Sequence, residues 1–222
     1  MFGVGTTIRL KTDILEQNNV IRTPNRGLAC GLYAVPYAPD NLVVGATNQV
    51  SDIERNNSTV EDVRSILAST QKELNYNLYS AQILSINTGY RPISTDGIPL
   101  IGETPLKNVY ICTGTRRDGW HLSPFLSKNV SAMVLSDKPI QNLSIYQPNR
   151  NPYRFISVED VNGMYQHELK MPFGAYRRHI HTNYETYFRK LHDYAGLSEY
   201  GIPLDLIGYC SEKMAKGEVV RI

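Results

Sequence analysis

Arg91 and the turn from Gly114 to Gly119 carry the residue types and spacing best suited to chemistry in this chain. Arg91 lies in Gly89-Tyr90-Arg91-Pro92, with Asp96-Gly97 and Ile101-Gly102 turns behind it. Its planar guanidinium offers parallel donors that match a carboxylate, a task the point charge of lysine performs less well. Further on, the apolar run Val109 to Thr113 enters the glycine-bounded turn, and a helix is predicted from Leu122. A strand, a glycine turn and a helix start bring unpaired backbone N–H groups and the positive end of a helix dipole to one spot. Such a spot takes negative charge. Neither G-x-G-x-x-G nor G-x-x-x-x-G-K-[ST] occurs here, so an anion other than phosphate enters consideration.

These stretches, taken in order, resemble a known family. Gly89-Tyr90-Arg91-Pro92, then Asp96-Gly97-x-Pro99-x-Ile101-Gly102, then Gly114-x-x-Arg117-Asp118-Gly119-x-x-Leu122-x-Pro124 resemble the C-terminal signature of flavin-dependent amine oxidases of the glycine oxidase and D-amino-acid oxidase type. Upstream, Gly31-Leu32-Tyr33-Ala34-Val35-Pro36 and Leu42-Val43-Val44-Gly45-Ala46-Thr47 resemble the strand pair that precedes that signature. The likeness runs from about Gly3 to Lys138.

The resemblance implies FAD as cofactor and an amino acid or other carboxylate-bearing amine as substrate. Arg91 would grip the carboxylate, Tyr33 would cover or hydrogen-bond the substrate, and Asn48 would line the pocket from the next strand. Gly114, Arg117, Asp118, Gly119, Trp120, His121 and Leu122 would face the pyrimidine side of the flavin ring. Their backbone amides would stabilise the negative charge that grows there as hydride reaches N5. The imine product would hydrolyse in water, and oxygen would reoxidise the flavin to give hydrogen peroxide. Each position also has a structural alternative. An arginine in a turn is by type alone a solvated side chain, although Pro92 and Asp96-Gly97 in register favour the functional role. Tyr33 could be ordinary strand packing, Asn48 turn chemistry, and the 114–122 stretch a plain strand-to-helix turn with Trp120 anchored in the core.

The family's first half carries a G-x-G-x-x-G unit for the adenosine diphosphate end of FAD. Gly3-Val4-Gly5 runs on into Thr6-Thr7-Ile8, without a third glycine or a helix. The likeness is therefore to the C-terminal half, which implies that this chain alone holds FAD poorly. A fragment, a truncated reading frame and one subunit of a split enzyme all fit. The last would need a protein partner that supplies the dinucleotide-binding domain. A non-catalytic interaction module that keeps the oxidase fold is the competing reading, and an unrelated α+β binding domain a third.

The elements that must position these residues are strands and helices in an α+β arrangement, mostly one antiparallel sheet. Thr6, Ile8 and Leu10 alternate with Thr7, Arg9 and Lys11, and Leu32 and Ala34 alternate with Tyr33 and Val35. A turn is predicted at residues 17–19, with strand character at Val20-Ile21, and Asp40-Asn41 reads as a hairpin turn. Ser58 or Thr59 should cap a helix to about Leu74 that buries Val63, Ile66, Leu67 and Leu74. A strand from Ala81 to Ile86 leads to Arg91.

Composition shifts near residues 138–142, dividing the chain into an oxidase-like region (1–138) and an irregular, tyrosine-rich tail (139–222) with a helix near Thr182 to Tyr194. The tail lies outside the resemblance and receives no function. In it His179, His181 and His192 invite a metal reading, since H-x-H on a strand points both rings one way. Surface histidines beside Arg177-Arg178 are the simpler reading, and no metal is expected. The 222 residues, 41% hydrophobic content and net charge of +2 allow a sizeable core. They give no reason to expect nucleic acid or a membrane surface. Cys30, Cys112 and Cys210 form no C-x-x-C pair and read as reduced thiols of a cytoplasmic protein.

Overall fold

A computed structural model describes residues 1–13, 18–24, 31–136, 138–154, 156–161, 163, 184–197, 200–203 and 206–222. Cys30, His179 and His181 lie outside the described residues, as does part of the predicted 17–19 turn.

Strand β1 (Phe2–Lys11) is the spine of a six-stranded antiparallel sheet. On one side it pairs along its whole length with β6 (Gln82–Pro92). On the other, its second half pairs with β4 (Asn41–Gly45) and its first residues with β5 (Gln49–Ser51). Outside β4 lie β3 (Tyr33–Ala38) and the two-residue β2 (Ile21–Arg22). The alternation in β1 sorts its residues as expected: Ile8 and Leu10 are buried with Ala34, Leu42 and Val44 under Ile66.

Ile66 belongs to α1 (Val60–Glu73), whose start is fixed locally. Thr59 accepts from the Asp62 N–H at 3.1 Å, and the Asp62 carboxylate takes the Thr59 N–H at 2.9 Å. This reciprocal cap contributes about 1 kcal/mol. Gln49 also donates to Asp62 at 2.7 Å, which ties α1 to β5. Val63, Leu67 and Leu74 complete the buried side, as the sequence predicts.

The hairpin β7 (Leu100–Glu103) and β8 (Tyr110–Thr113) forms a separate two-stranded sheet. Two strands alone are marginal in water. Here α2 (Gly119–Ser136) covers them through Leu126 and Met133, which pack with Ile101 and Leu143. This helix begins at Gly119 rather than at Leu122, and β6 runs on to Pro92 rather than ending at Ile86.

After residue 139, α3 (Tyr184–Tyr194) matches the helix expected near 182–194, whereas α4 (Ile207–Lys216) carries no sequence signal that predicted it. Phe188, Leu191, Ile202, Leu206, Ile207 and Cys210 form a third core together with Val50 of β5 and Ile93. The tail therefore shares a core with the sheet.

Candidate functional site

On the face of the sheet turned away from α1, several positions carry no side chain. Gly3 pairs with Arg91 and Val50, Gly5 with Gly89, and Gly45 with both Thr7 and Tyr33. Alternation puts these residues on one side, because Val4, Ile8 and Val44 fill the other. The missing side chains make room for two polar ones. Arg91 lies over Gly5, where an added Cβ would stand 2.7 Å from the guanidinium carbon. Tyr33 lies over Gly45, where a Cβ would stand 3.0 Å from its hydroxyl oxygen. Glycine inside a strand weakens it and marks a close approach. The Gly-Val-Gly spacing at 3–5 is therefore the sequence signal by which this floor could have been found.

Arg91 Nη1 donates to the carbonyl of Thr47 at 3.4 Å and to Asn48 Oδ1 at 3.5 Å, both long. Among the described residues no carboxylate pairs with it. Arg91, Tyr33 and Asn48 are each half-buried. Strand register sets the two glycines beneath Arg91 and Tyr33, Gly5 and Gly45, about 8 Å apart on this face, with Thr7 paired to Gly45. A half-buried cation with slack hydrogen bonds is a ready partner for an anion.

The turn after β8 is built differently. Gly114 is buried at φ +77°, a conformation that glycine adopts freely, and a Cβ there would press on the Pro99 Cα at 3.3 Å. Asp118 N–H donates to Thr115 at 2.9 Å, and the first helical bond runs from Leu122 N–H to Asp118 at 2.8 Å. The amides of Gly119, Trp120 and His121 therefore lead the helix without intrahelical acceptors. Arg117, Asp118, Trp120 and His121 are exposed, while Leu122 packs into the α2 core. Trp120 is 94% exposed, so it is no core anchor within this chain.

One hydrogen bond joins the two features. Arg116 N–H donates to the carbonyl of Pro92, the residue after Arg91, at 3.2 Å. The loop between them is held by Asp96, which is 4% exposed. Asp96 accepts from Ile98 N–H at 3.0 Å, from Tyr153 N–H at 3.0 Å and from Arg150 at 2.7 Å. Neither Gly5, Gly45 nor Arg150 was singled out by its sequence context.

Two titratable groups away from this site, His192 and Cys210, are buried. His192 is neither a surface residue nor a ligand: it is 2% exposed, donates from Nδ1 to the Phe188 carbonyl at 2.7 Å, and accepts at Nε2 from Ile202 N–H at 3.0 Å. Burial pushes its pKa down. Cys112 is exposed and Cys210 buried, and neither is in a disulfide. Burial pushes the Cys210 thiol up to about 12, which leaves it unreactive near neutral pH. Among the described residues no group of histidine, cysteine and carboxylate side chains could hold a metal ion. None of their helices is long and apolar enough to cross a membrane.

Known proteins share this fold. Residues 3–133 match the family model of the FAD dependent oxidoreductases. A glycine oxidase of Pseudomonas aeruginosa is 28% identical over 126 residues, 56% of this chain and 34% of that protein. A D-amino acid dehydrogenase of Vibrio vulnificus is 56% identical over a stretch of 36 residues, 16% of this chain and 9% of that protein. Among solved structures, glycine oxidase from Geobacillus kaustophilus superposes with a TM-score of 0.56 at 22% identity, over 68% of this chain and 39% of that one. Iminodiacetate oxidase from Chelativorans sp. BNC1 gives 0.57 at 20% identity, over 67% and 39%. The chain thus spans about a third of the length of the glycine oxidase it matches. With the matched span covering the sheet, the Arg91 strand and the turn into α2, this chain belongs to the FAD-dependent oxidoreductase (DAO) family.

Proposed function

We propose that this chain carries the amine-binding and flavin-facing part of an enzyme that oxidises the C–N bond of an amino acid or another carboxylate-bearing amine. The observation that carries the reading is the guanidinium of Arg91 on its glycine floor, tied through Pro92 and Arg116 to an amide-lined helix start. The names of the relatives, glycine oxidase and D-amino acid dehydrogenase, point to the same substrate class.

The residues at the turn suit the ring end of FAD. Gly114 and Gly119 let the turn fold tightly against Pro99 and Thr115, and the amides of residues 119–121 stand at the start of α2 with the helix dipole behind them. Of the stretch Arg117 to Leu122, the backbone N–H groups of Gly119, Trp120 and His121 would hold the pyrimidine edge, since those of Asp118 and Leu122 are bonded to Thr115 and Asp118. When bound there, FAD would supply the two-electron redox chemistry, as acceptor of hydride from the substrate carbon. The chain's own residues bind and orient. Arg91 fixes the carboxylate, Asn48 steadies Arg91, and Tyr33 closes the far side of the same face. Positioning of this kind supplies much of the rate enhancement, and no internal base is needed if the amine binds neutral.

Gly3 and Gly5 lie inside a central strand rather than at a phosphate-binding turn, so the dinucleotide end of FAD would come from a separate segment or subunit. Residues 1–138 form the substrate- and flavin-facing region on this reading, and 139–222 a tail packed against it. A cytoplasmic location suits the unbridged Cys112 and Cys210.

The test is co-expression with a chain that carries a G-x-G-x-x-G unit. A co-purifying complex with flavin absorbance that oxidises amino acids, but not the matching decarboxylated amines, is expected. A complex that forms without flavin would instead support a non-catalytic interaction module.

A further inference from the structure

Arg150 lies beyond the residues that match the family model, yet it reaches the loop between Arg91 and the flavin-facing turn. Its Nη2 donates to both oxygens of Asp96, at 3.0 and 2.7 Å, and to the Ile98 carbonyl at 3.1 Å. The two side chains are 9% and 1% exposed. Its guanidinium also stands over the Tyr153 ring at 5.3 Å.

Stability alone explains this pair badly. A buried ion pair is often no more stabilising than apolar residues of the same volume. Arg150 Nε is moreover buried without a hydrogen-bond partner among the described residues, a destabilising feature in itself. What the pair does fix is a loop. Asp96 accepts from Ile98 N–H, and Ser94 donates to the Ile98 carbonyl at 2.7 Å. The same loop touches the turn twice. Pro99 and Leu100 lie against Gly114, and an added Cβ at Gly97 would stand 3.6 Å from Arg116 Nη1. At its start, Pro92 accepts the Arg116 N–H.

We propose that Arg150 is a positioning residue for the candidate site: through Asp96 it sets the placement of Arg91 relative to the turn before α2. Its effect on ligand binding rests on the functional reading above, whereas its effect on the turn does not.

The experiment uses the full 222-residue chain with two variants. Arg150→Lys keeps the charge but loses the fork, and Asp96→Asn/Arg150→Met removes both charges so that no buried ion is left unpaired. Amide exchange at Arg116 should quicken about tenfold or more in either variant, with Ile8 and Val44 unchanged. Unchanged exchange at Arg116, or equal quickening at all three amides, would overturn the proposal. In a second arm, propionate should perturb the Arg91 side-chain NMR signal of the unsubstituted chain and bind about tenfold more weakly to Arg150→Lys. Equal affinity in both would overturn the link to Arg91. If propionate leaves Arg91 of the unsubstituted chain untouched, the functional reading fails, and Arg116 exchange still decides whether Arg150 holds the turn. If Arg150→Lys does not fold, the double variant answers both arms.

Discussion

Arg91 rests on Gly5: an added Cβ at Gly5 would stand 2.7 Å from the Arg91 guanidinium carbon. The obstructed group is the end of a flexible side chain, so Gly5→Ala should move Arg91 rather than unfold the sheet. Stability should change by no more than about 1 kcal/mol, partly because alanine restricts the unfolded chain. Affinity for a small carboxylate should fall on the order of tenfold. Chemical denaturation and a propionate titration check the two halves separately. Loss of stability with unchanged affinity would show that the floor serves folding and not Arg91.

Arg91→Ala asks the direct question. In a complete, flavin-loaded complex it should raise KM for carboxylate-bearing amines on the order of tenfold or more, because a charge-assisted two-point bond is lost. The matching decarboxylated amines should show little change. Arg91→Lys should recover only part of the loss, since a point charge cannot reproduce the fork. An unchanged KM in the alanine variant would remove Arg91 from the site.

How far the sequence revealed this arrangement depends on how local each signal is. The α1 start was legible because Thr59 and Asp62 satisfy each other three residues apart. The buried face of β1 was legible because Thr6, Ile8 and Leu10 alternate within one strand. Of the glycine floor, Gly3-Val4-Gly5 shows within one strand, but its place under Arg91 and beside Gly45 needs the register of neighbouring strands. The Asp96–Arg150 pair joins residues 54 apart; Asp96-Gly97 reads as a turn in its own window, but nothing in that window points to Arg150. Helix α4 went unpredicted for a related reason. Its N-cap position is Leu206, without a side-chain cap, and Gly208 sits in its first turn, so the packing of Ile207 and Cys210 holds it rather than propensity. His192 reads as a surface residue when grouped with His179 and His181 beside Arg177-Arg178, whereas its acceptor role for Ile202 comes from a chain segment ten residues away.

His192 should give the fold a dependence on acid. Its Nε2 already accepts a hydrogen bond from Ile202 N–H, so protonating that nitrogen would set two donors against each other. Burial adds to this and holds the folded pKa below its ordinary value near 6.5. The unfolded chain therefore binds more protons between the two values, and stability rises with pH across that window. The contribution is complete above about pH 6.5 and is lost as pH falls toward the folded pKa, by about 1.4 kcal/mol per pH unit. Urea midpoints from pH 7 down to pH 5 should show the slope, and His192→Gln should be less stable at pH 7 but flatter toward acid. Parallel slopes for the two proteins would mean that other groups set the acid limb.

Trp120 is the only tryptophan in the chain, and it stands 94% exposed on the first turn of α2. Further along the same helix Phe125, Val134 and Leu135 are exposed as well, while Leu126 and Met133 face the core. A helix apolar on both sides is one that expects cover on both. If a dinucleotide-binding chain supplies the second cover, Trp120 changes from a water-facing residue to an interface residue, and its fluorescence reports the event without any turnover. Acrylamide should quench it readily in this chain alone, and the quenching constant should fall severalfold in the flavin-loaded complex. Trp120→Ala should weaken assembly by about 1–3 kcal/mol, as truncation of a large aromatic anchor does. Equal quenching in the free chain and the complex would place the partner elsewhere and leave the helix start open to water.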